Sequence, residues 1–172
     1  METRLRYECK SFAALTPAEL YEAMALRQEV FVVEQNCPYL DADGKDPLGW
    51  HLFGRLTDRV TKSPGQSGGS AGLLVAYVRI LPAGVSYPEY PSIGRVVTAP
   101  SVRRNGYGRE LMEVAIETLY GLFGPSPIKI GAQQYLRKFY ESLGFHSTGE
   151  EYLEDGIPHV KMVKTSFPNY KF

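Results

Sequence analysis

The sequence is poor in the residues that build disulfide bonds, zinc sites and membrane spans. It has two cysteines, three histidines and no Cys-x-x-Cys pair, which excludes the common structural zinc motifs. The longest apolar run, residues 73–78, stops at Arg79, far short of the ~20 apolar residues of a membrane span. Residues 1–10 lack the apolar core of a signal peptide. We therefore expect a soluble, cytoplasmic protein with free thiols, no metal and no membrane partner.

A net charge of either sign is also missing. Nineteen basic and nineteen acidic residues cancel, which argues against nucleic acid as the main partner. The composition is globular, with 44 % apolar and 22 % charged residues in a chain of 172, a normal length for one compact domain. The Gly- and Ser-rich segment 61–70 is short and lies between two strand-like stretches. It is interpreted as a hairpin tip, so residues 1–172 are predicted to form a single domain.

The first helix has the most consistent signals in the sequence. Thr16 is a good N-terminal cap, Pro17 suits the first helical position, and Glu19 completes a capping box with Thr16. These residues predict a helix that begins at Pro17 and runs to about Val32.

The remaining patterns predict an alternation of strands and helices. Strand-like stretches lie at residues 5–12, 50–58, 72–81, 93–98, 128–131, 145–153 and 159–164. Further helices are predicted at 106–122 and 135–143. The order β-α-β-β-β-α-β-α-β-β predicts an α/β fold in which one mixed sheet is flanked by helices.

A turn at residues 100–108 has the features of a phosphate site. A strand precedes it, an amphipathic helix follows it, and the first N–H groups of a helix favour an anion. Glycine at positions 106 and 108 lets phosphate oxygens approach the backbone, and Arg103 and Arg104 add positive charge. The turn therefore suits a pyrophosphate, with an ordinary glycine turn flanked by exposed arginines as the alternative.

Two better-known phosphate motifs do not fit this turn. A Rossmann motif requires a third glycine where this chain has Leu111. A P-loop requires Gly-Lys followed by Ser or Thr, which is absent. The pattern that remains is R-x-x-G-x-G after a strand.

Residues 96–112 resemble the acyl-CoA motif of the GNAT superfamily of N-acetyltransferases, and residues 136–145 resemble its second motif, which ends in Y-x-x-x-G-F. The narrower resemblance, to the ElaA-like group, rests on residues 26–39, 93–97 and 154–159. Together the similar segments cover roughly residues 15–163. Three separated segments in the right order make a chance resemblance implausible.

This resemblance implies a GNAT-like α/β fold with a splayed sheet, in which strand 93–98 separates from strand 128–131 and acetyl-CoA lies in the gap. The pantetheine arm would pair with the backbone of Val96 and Thr98. The implied cofactor contacts are Val96, Val97, Thr98, Arg103, Arg104, Asn105, Gly106, Tyr107, Gly108, Arg109 and Gln133. The implied reaction is direct transfer of an acetyl group to a primary amine, without an acyl-enzyme.

Two catalytic elements follow from the resemblance. A backbone N–H near Val96 or Val97 would stabilise the negative charge on the thioester oxygen. Tyr140 would protonate the departing thiolate as a general acid. The alternative for Tyr140 is an aromatic side chain packed in the core.

The general base is less well defined, because several family members have a glutamate where this chain has about Ser92. Glu34, His51 and His159 are the substitutes, and burial of Glu34 would raise its pKa. Arg95 lies within an apolar strand. It either pairs with a structural carboxylate or holds a carboxylate of the acceptor.

The acceptor is predicted to be a small-molecule or peptide amine, and a homodimer is left open. Residues 26–31 also resemble an early motif of acyl-homoserine-lactone synthases, which would be a different acyltransferase. The missing glutamate leaves a third reading, a non-catalytic module that binds acyl-CoA.

Overall fold

The computed structural model describes residues 5–57 and 72–165. The strands are β1 (Leu5–Ser11), β2 (Trp50–Leu56), β3 (Leu73–Leu81), β4 (Ser92–Thr98), β5 (Ile128–Gln133), β6 (His146–Glu154) and β7 (Ile157–Lys164). The α-helices are α1 (Pro17–Arg27), α2 (Tyr107–Phe123) and α3 (Arg137–Glu141). The predicted order of elements is confirmed, and the predicted hairpin tip at 61–70 lies outside the described residues. No helix of the described residues is long and apolar enough to cross a membrane.

Helix α1 begins as predicted and ends differently. The Glu19 N–H donates to Thr16 Oγ1 at 3.2 Å, and the Thr16 N–H donates to the Glu19 carboxylate at 2.8 Å, so the capping box is confirmed. The α-helix stops at Arg27, short of the predicted Val32, and a π-helix, Gln28–Glu34, continues the rod. The wider i to i+5 turn of a π-helix changes which side chains face inward. Its last residues reach the cavity described below.

The strands form two antiparallel sheets, with the orders β1-β2-β3-β4 and β5-β7-β6. Helix α2 connects β4 to β5 and buries Leu111, Met112 and Leu119 completely in the core. The core continues into both sheets, where Tyr77 and Met162 are fully buried.

The two sheets meet at the N-terminal ends of β4 and β5 and then separate. The Lys129 N–H donates to the Pro91 carbonyl at 3.1 Å where the two strands begin. Beyond this point, the ladders of the described residues pair β4 with β3 and β5 with β7. The splayed GNAT-like fold is therefore confirmed, although the single mixed sheet is divided into two sheets because β4 and β5 diverge.

The helix predicted at residues 135–143 is shorter in the structure. A 3-10 turn, Gln134–Leu136, leads into α3, and Gly144 ends the segment with a φ of 87°. This left-handed conformation suits glycine. The 3-10 turn before α3 places this helix beside the gap between β4 and β5.

Candidate active site

A cavity of about 630 Å³ occupies the gap between β4 and β5. Every residue of β4 lines it, together with Gly131 and Gln133 of β5. Arg103 and Gly108 line the cavity beyond the C-terminal end of β4, and Tyr87 lies in the loop that leads into its N-terminal end. The cavity thus extends along one exposed strand edge from the phosphate-type turn to a tyrosine-rich loop.

A β-bulge interrupts β4 in the middle of the cavity wall. Tyr77 is opposite Val97 and Arg79 is opposite Gly94, so one residue of β3 faces both Arg95 and Val96. Arg95 has a φ of 53°, in the left-handed region that non-glycine residues rarely adopt. The bulge changes the direction of the peptide groups at Val96.

The edge of β4 that faces the gap carries backbone groups outside the β3 ladder. The Ala99 N–H donates to the Val75 carbonyl of β3 at 2.8 Å. Because successive residues of an extended strand direct their peptide groups to opposite edges, Thr98 and Val96 present theirs to the gap. An extended ligand could therefore pair with this edge as an added strand.

A buried ionic network supports the bulge from behind. Three arginines, on α1, β3 and β4, meet three aspartates of the loop between the π-helix and β2. The members of this network are Arg27, Arg79, Arg95, Asp41, Asp43 and Asp46. Arg27 lies 2.7 Å from Asp41 and 2.8 Å from Asp46, and their side chains are at most 9 % exposed. The charges therefore neutralise one another inside the protein.

Arg95 belongs to this network. Its Nε lies 2.8 Å from Asp41, and its Nη2 lies 3.3 Å from Asp43 and donates to the Asp41 carbonyl at 3.1 Å. Of the two predicted roles for Arg95, the structure supports pairing with a structural carboxylate. The same contacts hold the bulge in its left-handed conformation.

His51 lies behind the cavity wall and does not line it. The side chain is fully buried and contacts the Tyr77 hydroxyl at 2.6 Å and the Asp46 carbonyl at 3.0 Å. Burial lowers the pKa of His51, which favours the neutral imidazole. The prediction of His51 as a substitute base is wrong, because the residue does not line the cavity and both ring nitrogens are engaged in the core.

Glu34 closes part of the cavity mouth. Its carboxylate receives two hydrogen bonds from Arg103, at 2.6 and 3.0 Å. The bond from Arg103 lowers the pKa of Glu34, which is opposite to the shift that burial would cause. An exposed, ionised carboxylate already bound to arginine is a poor general base.

The turn before α2 has the open geometry that an anion requires. Gly106 caps the helix with a φ of 79°, and a Cβ built on Gly106 or on Gly108 would meet no atom within 4 Å. The turn therefore leaves open space beside the N-terminus of α2, the end of a helix that favours an anion. The side chains of Asn105 and Arg109 are used internally, on the Val102 carbonyl and on the Ser142 hydroxyl.

Tyr140 lies on α3 with its ring packed edge-on against Phe139 and Phe145. It lines the cavity and is 7 % exposed. Burial raises the pKa of Tyr140 above its usual value, so the phenol is protonated at neutral pH. Within residues 5–57 and 72–165, no acceptor lies within hydrogen-bonding distance of its hydroxyl. The ring is fixed, and the hydroxyl is left for a ligand.

His159 lies on the opposite side of the cavity from β4. Its Nδ1 is 2.7 Å from the Ile157 carbonyl, which can only accept, so Nδ1 carries the proton. Nε2 lies 3.7 Å from a Glu154 oxygen, and the residue lines the cavity. The ring stacks on Tyr152 with centroids 5.3 Å apart. Of the three predicted bases, His159 alone lines the cavity with a ring nitrogen, Nε2, that makes no hydrogen bond among the described residues.

Several cavity residues were missed by sequence reasoning. Gln133 was predicted, and its side-chain amide donates to the Gln35 side chain at 3.3 Å. Tyr87, Tyr152 and Lys161 were not predicted, because each lies on a different element and no local pattern joins them. The acidic loop before β2 was the one available signal for the ionic network.

The chain is similar to known proteins along most of its length. The family model described as an acetyltransferase (GNAT) domain matches residues 63–166. Protein ElaA of Escherichia coli is 40 % identical over 152 residues, which are 87 % of this chain and 90 % of that protein.

The solved structures agree. An acyl-CoA N-acyltransferase from Pseudomonas aeruginosa is 38 % identical with a TM-score of 0.79, covering 93 % of this chain and 99 % of that one. The crystal structure of Escherichia coli ElaA has a TM-score of 0.78 at 36 % identity, with the same coverage. An aminoglycoside 6′-N-acetyltransferase complexed with coenzyme A has a TM-score of 0.63 at 16 % identity, covering 94 % and 98 % of the two chains, and shares the fold. The chain therefore belongs to the GNAT acetyltransferase family and, within it, to the ElaA-like group.

Proposed function

We propose that this acyltransferase is an N-acetyltransferase, folded as one domain over residues 1–172, which transfers an acetyl group from acetyl-CoA to a primary amine by direct attack. The observation that carries the proposal is the edge of β4 that the described residues leave unpaired, which leads along the cavity to the open turn at Gly106 and Gly108. That combination fits a long, thin ligand with a diphosphate at one end.

The donor is held at two places. The N-terminus of α2 and the open turn at Gly106 and Gly108 bind the diphosphate, with Arg103 and Arg104 adding charge. The pantetheine arm lies beside β4 and bonds to the backbone of Val96 and Thr98, with Gln133 on the facing strand. The aminoglycoside acetyltransferase that shares this fold was crystallised with coenzyme A, which supports the same donor here.

The bulge supplies the electrostatic part of catalysis. Attack by the amine places negative charge on the thioester carbonyl oxygen, and the N–H of Val96 or Val97 stabilises it. Loss of one such donor typically costs about 2.7–4 kcal/mol of transition-state stabilisation. Because Arg95 is held 2.8 Å from Asp41, the backbone N–H that stabilises the oxygen is in position before the substrate binds.

Two side chains move the protons. His159 Nε2 accepts the proton that an ammonium substrate loses before attack, directly or through one water. The amine nitrogen then bonds to the carbonyl carbon, the C–S bond breaks, and Tyr140 donates its proton to the leaving thiolate. The second proton, which the nitrogen loses as it becomes an amide, returns through solvent to the Tyr140 phenolate. His159 takes the role that the glutamate has in other members. Ser92, which stands at about the position of that glutamate, is 5 % exposed.

The test is release of free CoA from acetyl-CoA across a broad panel of small amines and peptides. We expect free thiol to appear in proportion to acetylated amine, and His159→Gln to slow the reaction while acetyl-CoA still binds. Tight binding of acetyl-CoA without turnover on any amine would support a binding module instead. Thioester consumption with S-adenosylmethionine but not with simple amines would support the homoserine-lactone-synthase alternative.

A further inference from the structure

The wall of the cavity opposite β4 is one face of the β5-β7-β6 sheet. In its register, Gly131 is opposite Lys161, Gln133 is opposite His159, and Tyr152 is also opposite His159. The neighbours that alternate with these residues, Ile130, Ala132, Val160 and Met162, are buried in the core. We call the face that carries Gly131, Gln133, Tyr152, His159 and Lys161 the polar face.

Lys161 is held in place on the polar face by two tyrosines. Its Nζ lies 4.0 Å from the centroid of the Tyr152 ring and 5.1 Å from that of Tyr87, and it donates to the Tyr87 hydroxyl at 3.4 Å. The Tyr152 hydroxyl in turn occupies the space above Gly131, where any Cβ would collide with it. The ammonium is therefore positioned by aromatic contacts.

The charge of Lys161 is not neutralised by a neighbour. Among the described residues, no carboxylate lies within 4.0 Å of its Nζ, and Glu150 and Glu154 act on it through space alone. Lys45 and Lys129 add further positive charge nearby. Burial lowers the pKa of Lys161, as expected for a cation that has lost water without gaining a counter-ion.

The arginines that line the cavity are different, and Lys45, which also lines it, donates to the Ser86 hydroxyl at 3.4 Å. Arg79, Arg95 and Arg103 each have a carboxylate partner within 2.8 Å. Lys161 thus lines the cavity with a charge that the described residues leave available to a ligand. An anionic group on that ligand would supply the missing partner.

We infer that Lys161 binds an anionic group, a carboxylate or a phosphate, carried by the small primary amine that accepts the acyl group. The inference rests on the proposed function and names its acceptor class. It assigns to Lys161 the role that the sequence suggested for Arg95. His159 and Lys161 are two residues apart on β7, about 6.6 Å along the strand. An amine at His159 and an anion at Lys161 would therefore be separated by a few bonds, as in an amino acid.

The test compares matched amines that differ in one anionic group. The carboxylate arm pairs amino acids with their carboxamides, with the amine α, β or γ to the acid. The phosphate arm pairs O-phosphoethanolamine with ethanolamine. We expect the anionic member of at least one arm to have a kcat/KM about tenfold or more higher in the wild type, the usual scale for a hydrogen bond to a charged group. The arm in which the anionic member is preferred shows whether Lys161 binds a carboxylate or a phosphate.

Lys161→Met and Lys161→Gln should remove this preference, while Lys161→Arg should keep part of it. Lys129→Met is the matched control, because Lys129 also lies over the Tyr87 ring, at 5.1 Å, but does not line the cavity. It should change the preference by less than about twofold. Thermal melts of each variant confirm that the comparison is between folded proteins.

A binding measurement keeps the inference testable even without turnover. In the presence of CoA, the anionic member of at least one product pair should protect the wild type against thermal unfolding more than the neutral member does. The pairs are N-acetylphenylalanine with N-acetylphenylalaninamide, and O-phospho-N-acetylethanolamine with N-acetylethanolamine. Equal responses to both members of every pair, or an unchanged preference in Lys161→Met, would overturn the inference and leave N-acetyl transfer intact. Failure of every amine to be acetylated, with the anion preference in binding retained, would instead overturn the proposed function.

Discussion

The two sides of the cavity treat polar groups in opposite ways. On the β4 side, Arg79 and Arg95 are paired with aspartates at 2.7 and 2.8 Å. On the other side, the Tyr140 hydroxyl, the His159 Nε2 and the Lys161 ammonium line the cavity without a hydrogen-bonded carboxylate among the described residues. One side satisfies its own charges, and the other presents them.

This difference separates structural from chemical roles. A buried ion pair contributes little net stability but becomes costly when one partner is removed, because the remaining charge stays buried. It therefore fixes a shape, here the left-handed bulge at Arg95. Groups left without partners are available to substrate. We expect changes on the β4 side to alter stability, and changes on the other side to alter rate or specificity.

The largest expected effect concerns Tyr140. Tyr140→Phe removes only the hydroxyl and leaves the edge-on packing with Phe139 and Phe145. If the hydroxyl protonates the thiolate, single-turnover acetyl transfer should slow by about 10²–10⁴-fold, the usual scale for general acid catalysis. Stability and acetyl-CoA affinity should change little.

Tyr21→Phe is the control, because Tyr21 is exposed on α1 and distant in sequence from α3. It should leave the single-turnover rate unchanged. A near-normal rate in Tyr140→Phe would show that the thiolate takes its proton from water and that Tyr140 is a packing residue.

The next effect concerns the paired side. Asp41→Asn removes the carboxylate shared by Arg27 and Arg95, at 2.7 and 2.8 Å, in a side chain that is 3 % exposed. Breaking a buried pair in this way typically costs about 3–5 kcal/mol. Urea unfolding should show that loss, and the control Glu8→Gln, at an exposed pair with Lys10, should cost no more than about 1 kcal/mol. Similar midpoints for the two variants would contradict the structural role of the network.

Acid should weaken the same network. Burial opposes ionisation of Asp43 and Asp46, but hydrogen bonds from Arg79 and Arg27 outweigh it and lower the pKa of each carboxyl. A lowered folded pKa contributes stability that is complete above the unfolded value of about 3.9 and is lost as pH falls towards the folded value. The free energy of unfolding, measured in urea from pH 7 to 3, should therefore decline mainly below about pH 4. No decline between pH 5 and pH 3 would contradict the ionic assignment.

The smallest expected effect concerns Glu34, which pairs with Arg103 at 2.6 Å beside the turn before α2. Glu34→Gln frees the guanidinium for the ligand, so CoA affinity should rise by about two- to fivefold, in line with the small energy of exposed ion pairs. Calorimetric titration measures it. Glu141→Gln, which breaks the exposed pair with Arg137, is the control, and a fall in affinity for Glu34→Gln would mean that Glu34 helps to hold CoA.

Much of the fold follows from local signals. The capping box at Thr16 and Glu19 uses residues three apart, and its hydrogen bonds form as expected. The order of strands and helices and the glycine turn before α2 are also local patterns, and they are confirmed. Element boundaries were less predictable, since α1 gives way to the π-helix after Arg27 and does not run on as an α-helix to Val32.

The sequence could not predict which charged side chains pair with one another. Arg95 and Asp41 are separated by 54 positions, and no pattern in either segment indicates that they meet. The same limit applies to the histidines, since His51 and His159 differ in whether they face the core or the cavity. Composition and spacing identify candidate residues, whereas tertiary packing decides which of them remain without a partner.

The central claim is that acyl-CoA lies in the gap with its diphosphate on the turn before α2. Calorimetric titration of CoA into Gly108→Val and Gly121→Val tests it most directly. Both glycines lie on α2, and a Cβ at either position meets no atom within 4 Å, so both variants should fold. Gly108→Val should weaken CoA binding by about 5- to 150-fold, the scale of 1–3 kcal/mol for overfilling a close contact, and Gly121→Val should not. Unchanged affinity in a folded Gly108→Val variant would contradict the claim.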